Sequence, residues 1–337
     1  MAIKTVKGIY MLTKPRYLVR NWREYNNNLR TRGTIIFSFS PDIIKLYHTG
    51  QQKRGGVRKY SNHMYEYMLY IKILLRLPWR ATEGFVRGLL QQAFPGYPVE
   101  VPNYAHASRA AGKLELKIRQ YLPQIKDGME IAFDSTGVNV YTTSGWHQRR
   151  YGKDSLCRKR DQWKKIHIAM DLNTMQVVSA VYTGSNVNDC EVIGQLFRGI
   201  KGKIKNIRAD GAYDTEEMYS LAESHDAKVI IPPAKTSKAQ DELARPPKLK
   251  KQCLKQRDKT IKMIRKYDDF EVGLKSWKIA SNYHRRSLIE AMMFRLKRTF
   301  GVYLQHKTER GRINEVITKM NILNQMASYG RAQYNTV

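Results

Sequence analysis

The spacing of apolar residues divides the chain into two parts with different periods. Over residues 1–125 the apolar positions recur at helical spacing between sharp breakers, as in the run from Met64 to Leu75 ahead of Pro78. Beyond that point short β-type runs alternate with amphipathic stretches. The pattern therefore predicts a helical region over residues 1–125 and an α/β domain over residues 126–337.

Helix start and stop signals define the elements of the first region. Ser61 caps a long helix that Pro78 stops, another helix follows, and a further one is predicted over 103–120 with Arg109 near its start. The helices and breaks over 61–120 can be read as a helix-turn-helix, in which Arg109 would contact DNA. A plain helical bundle fits the same periodicity.

The second part combines strands and helices in an order that indicates its fold. Predicted strands span 129–133, 165–171, 176–183, 204–209 and 228–231, and predicted helices span 188–199 and 215–225. This order, completed by a helix that carries Glu290, matches a ribonuclease-H-like fold. We therefore predict an α/β domain with a mixed five-stranded sheet flanked by helices, preceded by an all-helical N-terminal region, so that the chain is α+β overall.

The charge of the chain is strongly one-sided. Sixty Lys and Arg against 29 Asp and Glu give a formal net charge of +31. The excess is spread along the whole length and is dense in an insertion over 235–280, where one helix is predicted at 254–266. Such an excess indicates a polyanionic partner, and its spread favours nucleic acid over a membrane surface.

Cysteine usage and hydropathy indicate the compartment. The three cysteines form no CxxC pair, which argues against a disulfide framework and a structural zinc. No apolar run approaches 18 residues, and the first residues lack the apolar core of a signal peptide. We therefore expect a soluble, cytoplasmic protein that does not bind membranes.

Two aspartates end predicted strands, and a glutamate lies on the last predicted helix. Asp134 ends the first strand and Asp210 ends the fourth, so both can reach one cleft, where Glu290 can join them. Three carboxylates without cations between them would repel one another, and hard divalent ions relieve that repulsion. The trio therefore predicts a catalytic site in which two Mg²⁺ ions support an in-line phosphoryl displacement.

Other candidate ligands near these strands have simpler explanations. Asp214 is interpreted as the N-cap of the helix that starts at Thr215, rather than as a metal ligand. Asp171 is interpreted as a turn residue at a strand end and Asp189 as a helix cap. The eight histidines show no ligand spacing, so the predicted metal ligands are carboxylates alone.

The helix that carries Glu290 places further polar groups beside it. At about 100° per residue, four side chains fall within an arc of about 60°: Tyr283, Arg286, Glu290 and Lys297. Apolar residues at i, i+4, i+8 spacing mark the opposite, core-facing side: Leu288, Met292 and Leu296. A solvated charged face with an i, i+4 ion pair would explain the same pattern.

A basic loop leaves the strand that bears Asp134. Between residues 147 and 165 its cations face only Asp154 and Asp161, and Trp146 and Trp163 stand at its edges. Such a loop would place positive charge beside a reacting phosphate and offer rings for an unpaired base, although a solvated hairpin is the alternative. The cations predicted to contact DNA are Arg149, Arg150, Arg158, Lys159, Arg160 and Lys164.

These residues together resemble a known family. The order Tyr283, Arg286, Glu290, Lys297 resembles the signature helix of the insertion sequence five group of DDE transposases. Asp-Ser-Thr-Gly at 134–137 and Ala-Asp-Gly-Ala-Tyr-Asp at 209–214 resemble the two aspartate motifs of that group. The similarity extends to the stretches 19–26, 77–85 and 229–233, and thus covers most of the chain.

The resemblance implies an enzyme that cuts DNA at the terminal inverted repeats of its own element and joins the 3′-hydroxyls to target DNA. Asp134, Asp210 and Glu290 would then be the catalytic metal ligands, with Mg²⁺ or Mn²⁺ bound. This implied set is the same trio that the strand ends and the helix indicate.

The resemblance also implies how the DNA is held. Arg286 and Lys297 would contact phosphates near the cut, and Tyr283 would help to position the strand. The mechanism leads us to expect a homodimer in a synaptic complex. The expected location is a bacterial or archaeal cytoplasm, in association with the nucleoid.

One departure from the family pattern lies in the predicted recognition helix. Where the family has a segment like Pro-Asp-Tyr-Thr-Thr-Leu-Ser-Arg, this chain has Pro-Asn-Tyr-Ala-His-Ala-Ser-Arg at 102–109. Either the end sequence that is recognised differs, or base reading occurs elsewhere. Two other functions stay open at this point, a structure-selective metal-dependent nuclease of the same fold and a catalytically silent DNA-binding regulator.

Overall fold

The computed structural model describes residues 3–6, 9–12, 17–44, 59–140, 163–243 and 251–336. Near the start, β1 (Ile3–Val6) pairs antiparallel with β2 (Ile9–Leu12). β3 (Tyr17–Val19) pairs antiparallel with a strand near the other end of the chain, Tyr334–Thr336. The N-terminal region is therefore not all-helical as predicted. These strands have only three or four residues, which is too short for their period to be recognised.

Helices account for most of the remaining N-terminal region and flank the second part. Those of the described ranges are α1 (Trp22–Thr31), α2 (Asn62–Leu74), α3 (Trp79–Ala93), α4 (Tyr104–Ala111), α5 (Ile193–Gly199), α6 (Glu216–Ser224), α7 (Lys255–Ile264), α8 (Phe270–Ala280), α9 (Ser287–Phe300) and α10 (Glu309–Ser328). The predicted cap of α2 is confirmed, because the N–H of Met64 donates to Ser61 Oγ at 3.1 Å. No helix of these ranges combines the length and apolarity that crossing a membrane requires.

A mixed sheet forms the centre of the second part. Its strands are β4 (Met129–Val140), β5 (Trp163–Asp171), β6 (Gln176–Gly184), β7 (Ile204–Arg208), β8 (Lys228–Ile230) and β9 (Tyr303–Leu304), while Tyr334–Thr336 is β10. The order is β6-β5-β4-β7-β8, in which β5 runs antiparallel to β4 and β6 while β4, β7 and β8 are parallel. This confirms the predicted ribonuclease-H-like sheet and adds β9, which pairs with the far end of β4.

Side chains of β4 alternate between two cores on the two faces of the sheet. Ile131 and Phe133 pack with residues of α5 and α6, whereas Ala132 and Val138 pack with residues of α9 and α10. Alternation along a strand places Asp134 on the same face as Ala132. The sheet thus presents Asp134 toward the helix that carries Glu290.

The predicted helix over 103–120 is wrong in its second half. α4 ends at Ala111, and the chain then runs alongside α10, whose asparagines bond its backbone. Asn314 Nδ2 donates to the carbonyl oxygens of Ala111 and Leu114 at 2.9 and 2.8 Å. The N–H of Arg119 donates to Asn321 Oδ1 at 2.8 Å. Because these side chains satisfy the backbone groups, the segment does not need helical hydrogen bonds.

The segment between β8 and α9 contains two helices where one was predicted. The second, α8, has Gly273 in its interior, which lowers its helix propensity. Packing compensates, since Trp277 of α8 contacts Ile230 of the edge strand β8 in a small core. In addition, the N–H of Val229 donates to Gln256 Oε1 of α7 at 2.9 Å. The insertion therefore covers this edge of the sheet.

Candidate active site

Asp134 and Asp210 occupy equivalent positions on adjacent parallel strands. The register pairs Ala132 of β4 with Arg208 of β7, so each aspartate lies two residues beyond that pair. Neighbouring strands are about 4.8 Å apart, which brings the two aspartates close together. β7 ends at Arg208, but β4 continues to Val140 because β5 keeps pairing with it. The prediction that Asp134 ends a strand is therefore wrong, because β4 continues six residues beyond it.

Each of these carboxylates accepts one hydrogen bond from the backbone. The N–H of Ser135 donates to Asp134 Oδ1 at 2.8 Å. Asp210 caps a short 3₁₀ helix, Gly211–Tyr213, and the N–H of Ala212 donates to its Oδ1 at 3.0 Å. These bonds fix the orientation of both carboxylates and leave a second oxygen of each for another group.

The polar residues around Glu290 do not all lie on one helix. Tyr283–Arg286 forms a 3₁₀ helix that Asn282 enters with a positive φ of 53°, and α9 begins only at Ser287. The prediction of one helix is therefore wrong for Tyr283 and Arg286, whereas Glu290 and Lys297 lie on α9. Arg286, the last residue of the 3₁₀ helix, still pairs with Glu290 four residues on and also contacts Asp134 of β4.

The buried face of α9 sets the direction of Glu290. Met292 and Leu296 are buried, as predicted, and Leu288 is half-buried against the same core. Glu290 has 53% of its side chain exposed, which leaves it accessible beside the sheet. The apolar stripe of α9 thus holds the carboxylate at the open side of the site.

Arg286 connects two of the three carboxylates. Its Nη1 lies 3.3 Å from Asp134 Oδ2, and its Nη2 donates to Glu290 Oε1. The guanidinium carbon lies 5.9 Å from the ring centroid of Tyr283. A single guanidinium therefore compensates carboxylates that come from β4 and from α9.

The carboxylates influence one another electrostatically. Burial raises the pKa of Asp134, and the negative charges of Asp210 and Glu290 raise it further, whereas a backbone N–H and Arg286 act in the opposite direction. Burial also raises the pKa of the Tyr283 phenol, with Asp210 and Glu290 again adding to the effect. The negative charges of Asp210 and Glu290 therefore lie close enough to Asp134 to disfavour its ionised form.

The donor chemistry of this cluster fits a hard divalent cation. Three carboxylates that repel one another, with one guanidinium between two of them, leave an excess of negative charge. Carboxylate oxygens are the ligands that Mg²⁺ prefers. Within the described ranges, however, no three Asp, Glu, His or Cys side chains lie close enough together to hold a metal ion as they stand. Arg286 lies between Asp134 and Glu290 and pairs with both carboxylates.

A second charge cluster, which the sequence did not indicate, lies next to the carboxylates. Arg208 Nη1 donates to Glu130 Oε2 at 2.9 Å, and Arg285 pairs with the same oxygen. Arg208 Nε also donates to the carbonyl oxygen of Asn282, at 3.3 Å. Glu130 precedes Asp134 by four residues on β4, so strand alternation is the only sequence signal for it. The inner cluster, Glu130 with Arg208 and Arg285, ties β4 and β7 to the turn before α9.

Asp214 has a role that differs from its predicted one. Thr215 caps α6, and Asp214 instead binds Arg257 of the insertion through both carboxylate oxygens, with Nε–Oδ1 at 2.9 Å and Nη2–Oδ2 at 3.0 Å. Tyr219 Oη also donates to Asp214, at 3.0 Å. The N-cap prediction is therefore wrong because a distant arginine supplies a stronger partner.

The other two aspartates that were given structural interpretations lie near the sheet. Asp171 accepts from the N–H groups of Asn173 and Thr174 after β5, so its assignment as a turn residue is confirmed. Asp189 lies in the first turn of a 3₁₀ helix whose cap is Asn188, and it accepts from Ser135 Oγ at 2.9 Å. Its assignment as the cap itself is wrong by one residue.

The glycine of the first aspartate motif has a packing role. A Cβ atom at Gly137 would lie 2.2 Å from Cζ3 of Trp163, which stands on the neighbouring strand β5. Trp163 keeps 48% of its surface exposed. The close approach of the indole therefore explains why this position of β4 lacks a side chain.

The remaining predicted DNA contacts are spread over the surface. Arg149, Arg150, Arg158, Lys159 and Arg160 lie outside the described residues. Lys164 is half-buried on β5, Lys297 is half-buried on α9 two turns beyond Glu290, and Arg109 is exposed near the end of α4. The structure thus brings Tyr283 and Arg286 to the carboxylates and leaves Arg109 on a separate helical surface.

Comparisons with known proteins identify the family. Residues 126–324 match a family described as Transposase DDE domain, and residues 30–143 match a second family with the same description. A cryo-EM structure of a piggyBac transposase synaptic complex with hairpin DNA is 9% identical with a TM-score of 0.38, over 95% of this chain and 80% of that chain. A Drosophila P element transposase strand transfer complex is 12% identical with a TM-score of 0.32, over 89% and 71%. The first family match alone spans more than half of this chain, and the chain therefore belongs to the DDE transposases.

Proposed function

We propose that this transposase binds the terminal inverted repeats of an insertion sequence, cuts the DNA at these ends and joins the released 3′-hydroxyls to target DNA. The observation that supports this proposal is that Arg286 pairs with both Asp134 and Glu290, while Asp210 lies near enough for its charge to act on Asp134. DDE transposases generally use divalent metal ions, and carboxylates are suitable ligands for them. The site would thus combine metal ligands with a cation that can bind phosphate.

Asp134, Asp210 and Glu290 would hold Mg²⁺ or Mn²⁺, and two ions are expected. When bound, such ions supply activation of an attacking oxygen and stabilisation of a leaving oxygen. Their charge would replace Arg286 as the compensation for Asp134 and Glu290. Arg286 could then bind the reacting phosphate, for which a guanidinium is well suited. Tyr283, stacked near Arg286, would position the DNA strand.

Each reaction exchanges one P–O bond for another at a phosphodiester. In cleavage, a water oxygen forms a bond to phosphorus, the bond to the 3′-oxygen breaks, and that oxygen leaves as a 3′-hydroxyl after taking up a proton. In joining, this 3′-hydroxyl loses its proton and attacks a target phosphorus, and the target 3′-oxygen leaves. The number of phosphodiester bonds is unchanged in the joining step, so no external energy source is required.

Cations outside the site would hold the DNA on either side of it. Lys297 would bind a phosphate beyond Glu290 on the same helix, and Arg109 would contact the DNA from α4. The loop cations Arg149, Arg150, Arg158, Lys159 and Arg160 and the strand cation Lys164 would bind phosphates nearer the cut. Such contacts follow from the net charge of +31.

The organisation of the chain follows from this assignment. We assign residues 1–125, with the helix-turn-helix at 61–120, to DNA binding and residues 126–337, with the basic insertion at 235–280, to catalysis. Two copies of the chain would bring two DNA ends together in a synaptic complex. The reaction would take place in a bacterial or archaeal cytoplasm, at the nucleoid.

A strand-transfer assay tests the proposal. A labelled DNA fragment that carries an element end is incubated with the full chain, Mg²⁺ and a supercoiled target plasmid. We expect labelled plasmid in addition to cleaved fragment. Cleaved fragment without any labelled plasmid would identify a structure-selective nuclease. Bound but intact fragment would identify a catalytically silent DNA-binding regulator, and either result would overturn the proposal.

A further inference from the structure

A cavity that is separate from the carboxylates lies between the N-terminal helices and the loop before α10. Its volume is about 690 Å³, and it is lined from one side by residues of α2, α3 and α4 and from the other by residues 305–310. A second cavity of about 660 Å³ adjoins it and shares the lining residues Pro78, Trp79, Ser108 and Arg109. Together they form one groove, which we name the Trp79 groove.

The floor of the Trp79 groove contains a buried cation. Lys72 is 9% exposed, its Nζ donates to Gln305 Oε1, and it lies 5.8 Å from the centroid of the Trp79 ring. The nearby carboxylate of Glu315 is engaged by Lys319, at 2.9 Å, and by two backbone N–H groups. The ammonium group therefore has a neutral amide as its direct acceptor in the described ranges, which leaves positive charge available to a ligand in the groove.

The walls are apolar and the rim is cationic. Leu69, Ile73 and Pro78 line the groove beside the half-buried indole of Trp79. The exposed cations at its rim are Arg109, Lys113, Lys307 and Arg310. Arg310 is paired with Glu115 at 2.6 Å, and the other three have no carboxylate partner within the described ranges. A flat aromatic wall inside a ring of positive charge matches a nucleobase with its flanking phosphates.

The two sides of the groove are held together by His306. Its Nε2 lies 3.2 Å from the carbonyl oxygen of Ser108 on α4. The His306 ring lies between Gly112 and Gly311. A Cβ atom on Gly112 would lie 2.8 Å from the ring and one on Gly311 only 1.8 Å from it, so neither position has room for a side chain. The groove is therefore formed in advance by a close fit between the two parts of the chain.

We propose that the Trp79 groove binds an unpaired nucleotide of the DNA, with the base stacked on Trp79, a base acceptor atom bonded to Lys72 Nζ, and the flanking phosphates on the rim cations. The proposal rests on the proposed function, since it deepens how that site receives its DNA. A base inside a duplex cannot enter a concave site without leaving its stack. The groove therefore selects a single-stranded or distorted segment over an intact duplex.

Binding of a short oligonucleotide tests this proposal without any cleavage. Fluorescence anisotropy of a labelled ten-nucleotide thymidine strand is measured with the full chain in EDTA, beside a strand of the same charge whose central nucleotides are abasic. We expect Trp79→Ala to weaken binding of the intact strand about tenfold, because a stacked base is lost, and to leave binding of the abasic strand unchanged. Trp79→Phe should retain most of the affinity.

Two further variants separate stacking from other effects. Lys72→Met should weaken binding of the intact strand about fivefold through the lost hydrogen bond, with no effect on the abasic strand. Tyr97→Ala removes an aromatic side chain of the N-terminal region that is 70% exposed and that lines neither cavity, so affinity should stay at the wild-type value. The thermal midpoint of each variant is measured to confirm that it is folded.

The outcomes distinguish this proposal from the proposed function. Unchanged affinity in folded Trp79→Ala, or equal binding of intact and abasic strands by the wild type, would overturn the groove while leaving metal-dependent cleavage intact. A tenfold loss in Trp79→Ala together with no strand transfer by the wild type would support the groove and overturn the proposed reaction. Equal losses in Trp79→Ala and Tyr97→Ala would also count against a specific base site.

Discussion

Two charge clusters lie on the same face of the sheet, four residues apart along β4, and they differ in how their charges are compensated. In the inner cluster Glu130 meets two guanidinium groups, those of Arg208 and Arg285, and also accepts from Asn206 Nδ2 at 3.1 Å. In the outer cluster one guanidinium, that of Arg286, pairs with Asp134 and Glu290, and the third carboxylate, Asp210, acts on it only through its charge. The inner cluster has an excess of positive charge, and the outer cluster has an excess of negative charge.

The difference in exposure follows the difference in charge. Arg208 is 3% exposed, whereas the side chain of Glu290 is 53% exposed. Both clusters draw their members from β4, from β7 or the residues directly after it, and from the turn and helix that begin at Tyr283. The inner cluster therefore closes the junction of these elements, while the outer cluster, built next to it, stays more exposed and keeps an excess of negative charge.

The largest expected effect concerns the outer cluster. Asp134→Asn, Asp210→Asn and Glu290→Gln should each lower strand cleavage by roughly 10³-fold or more, because each removes charge at the reacting phosphate while keeping the shape of the side chain. DNA binding should persist, since the proposed phosphate contacts are made by cations that these substitutions leave in place. Cleavage is measured on a labelled end fragment, and retained cleavage in any variant would remove that residue from the site.

The inner cluster should respond through stability. Glu130→Ala leaves Arg208 buried without its carboxylate, which should lower the free energy of unfolding by about 3 to 5 kcal/mol. Chemical denaturation provides the measurement. The matched control is Glu216→Ala, which breaks the exposed pair with Lys251, whose two side chains are each 54% exposed, and should change stability by less than about 1 kcal/mol. Equal effects of the two substitutions would contradict the comparison.

The smallest expected effect is a gain in the free energy of unfolding rather than a loss. Burial raises the pKa of Asp134, so its ionised form is less favourable in the folded chain than in the unfolded one. Asp134→Asn should therefore stabilise the metal-free chain at neutral pH, by roughly 0.5 to 2 kcal/mol, as at other active sites. The gain should disappear as the pH falls below the ordinary aspartate range, because the wild-type carboxyl is then protonated in both states. Denaturation curves at several pH values measure this, and a loss of stability at neutral pH would contradict it.

Much of the fold could be predicted because local patterns determine it. The β-type runs that form β5 and β6, the cap at Ser61 and the order of strands and helices all depend on residues close together in sequence. The meeting of Asp134 and Asp210 could also be predicted, since equivalent positions on adjacent parallel strands are neighbours. The catalytic roles assigned to these residues remain predictions.

The features that were missed depend on contacts between distant residues. The segment after Ala111 is extended because asparagines about 200 positions away bond its backbone. Asp214 binds Arg257 rather than capping a helix, and the inner cluster depends on the register between β4 and β7. Local propensity carries no information on such pairings, so the sequence indicates the residues but not their partners.

Mn²⁺ binding, followed by electron paramagnetic resonance in the presence of a DNA end, shows whether Asp134, Asp210 and Glu290 form one metal site, because it reports on the carboxylates without requiring cleavage. We expect the wild type to bind Mn²⁺ and Asp134→Asn, Asp210→Asn and Glu290→Gln each to weaken this binding, whereas Asp214→Asn, at the carboxylate that Arg257 engages, should not. Wild-type Mn²⁺ affinity in folded Asp210→Asn would contradict a site shared by the three carboxylates.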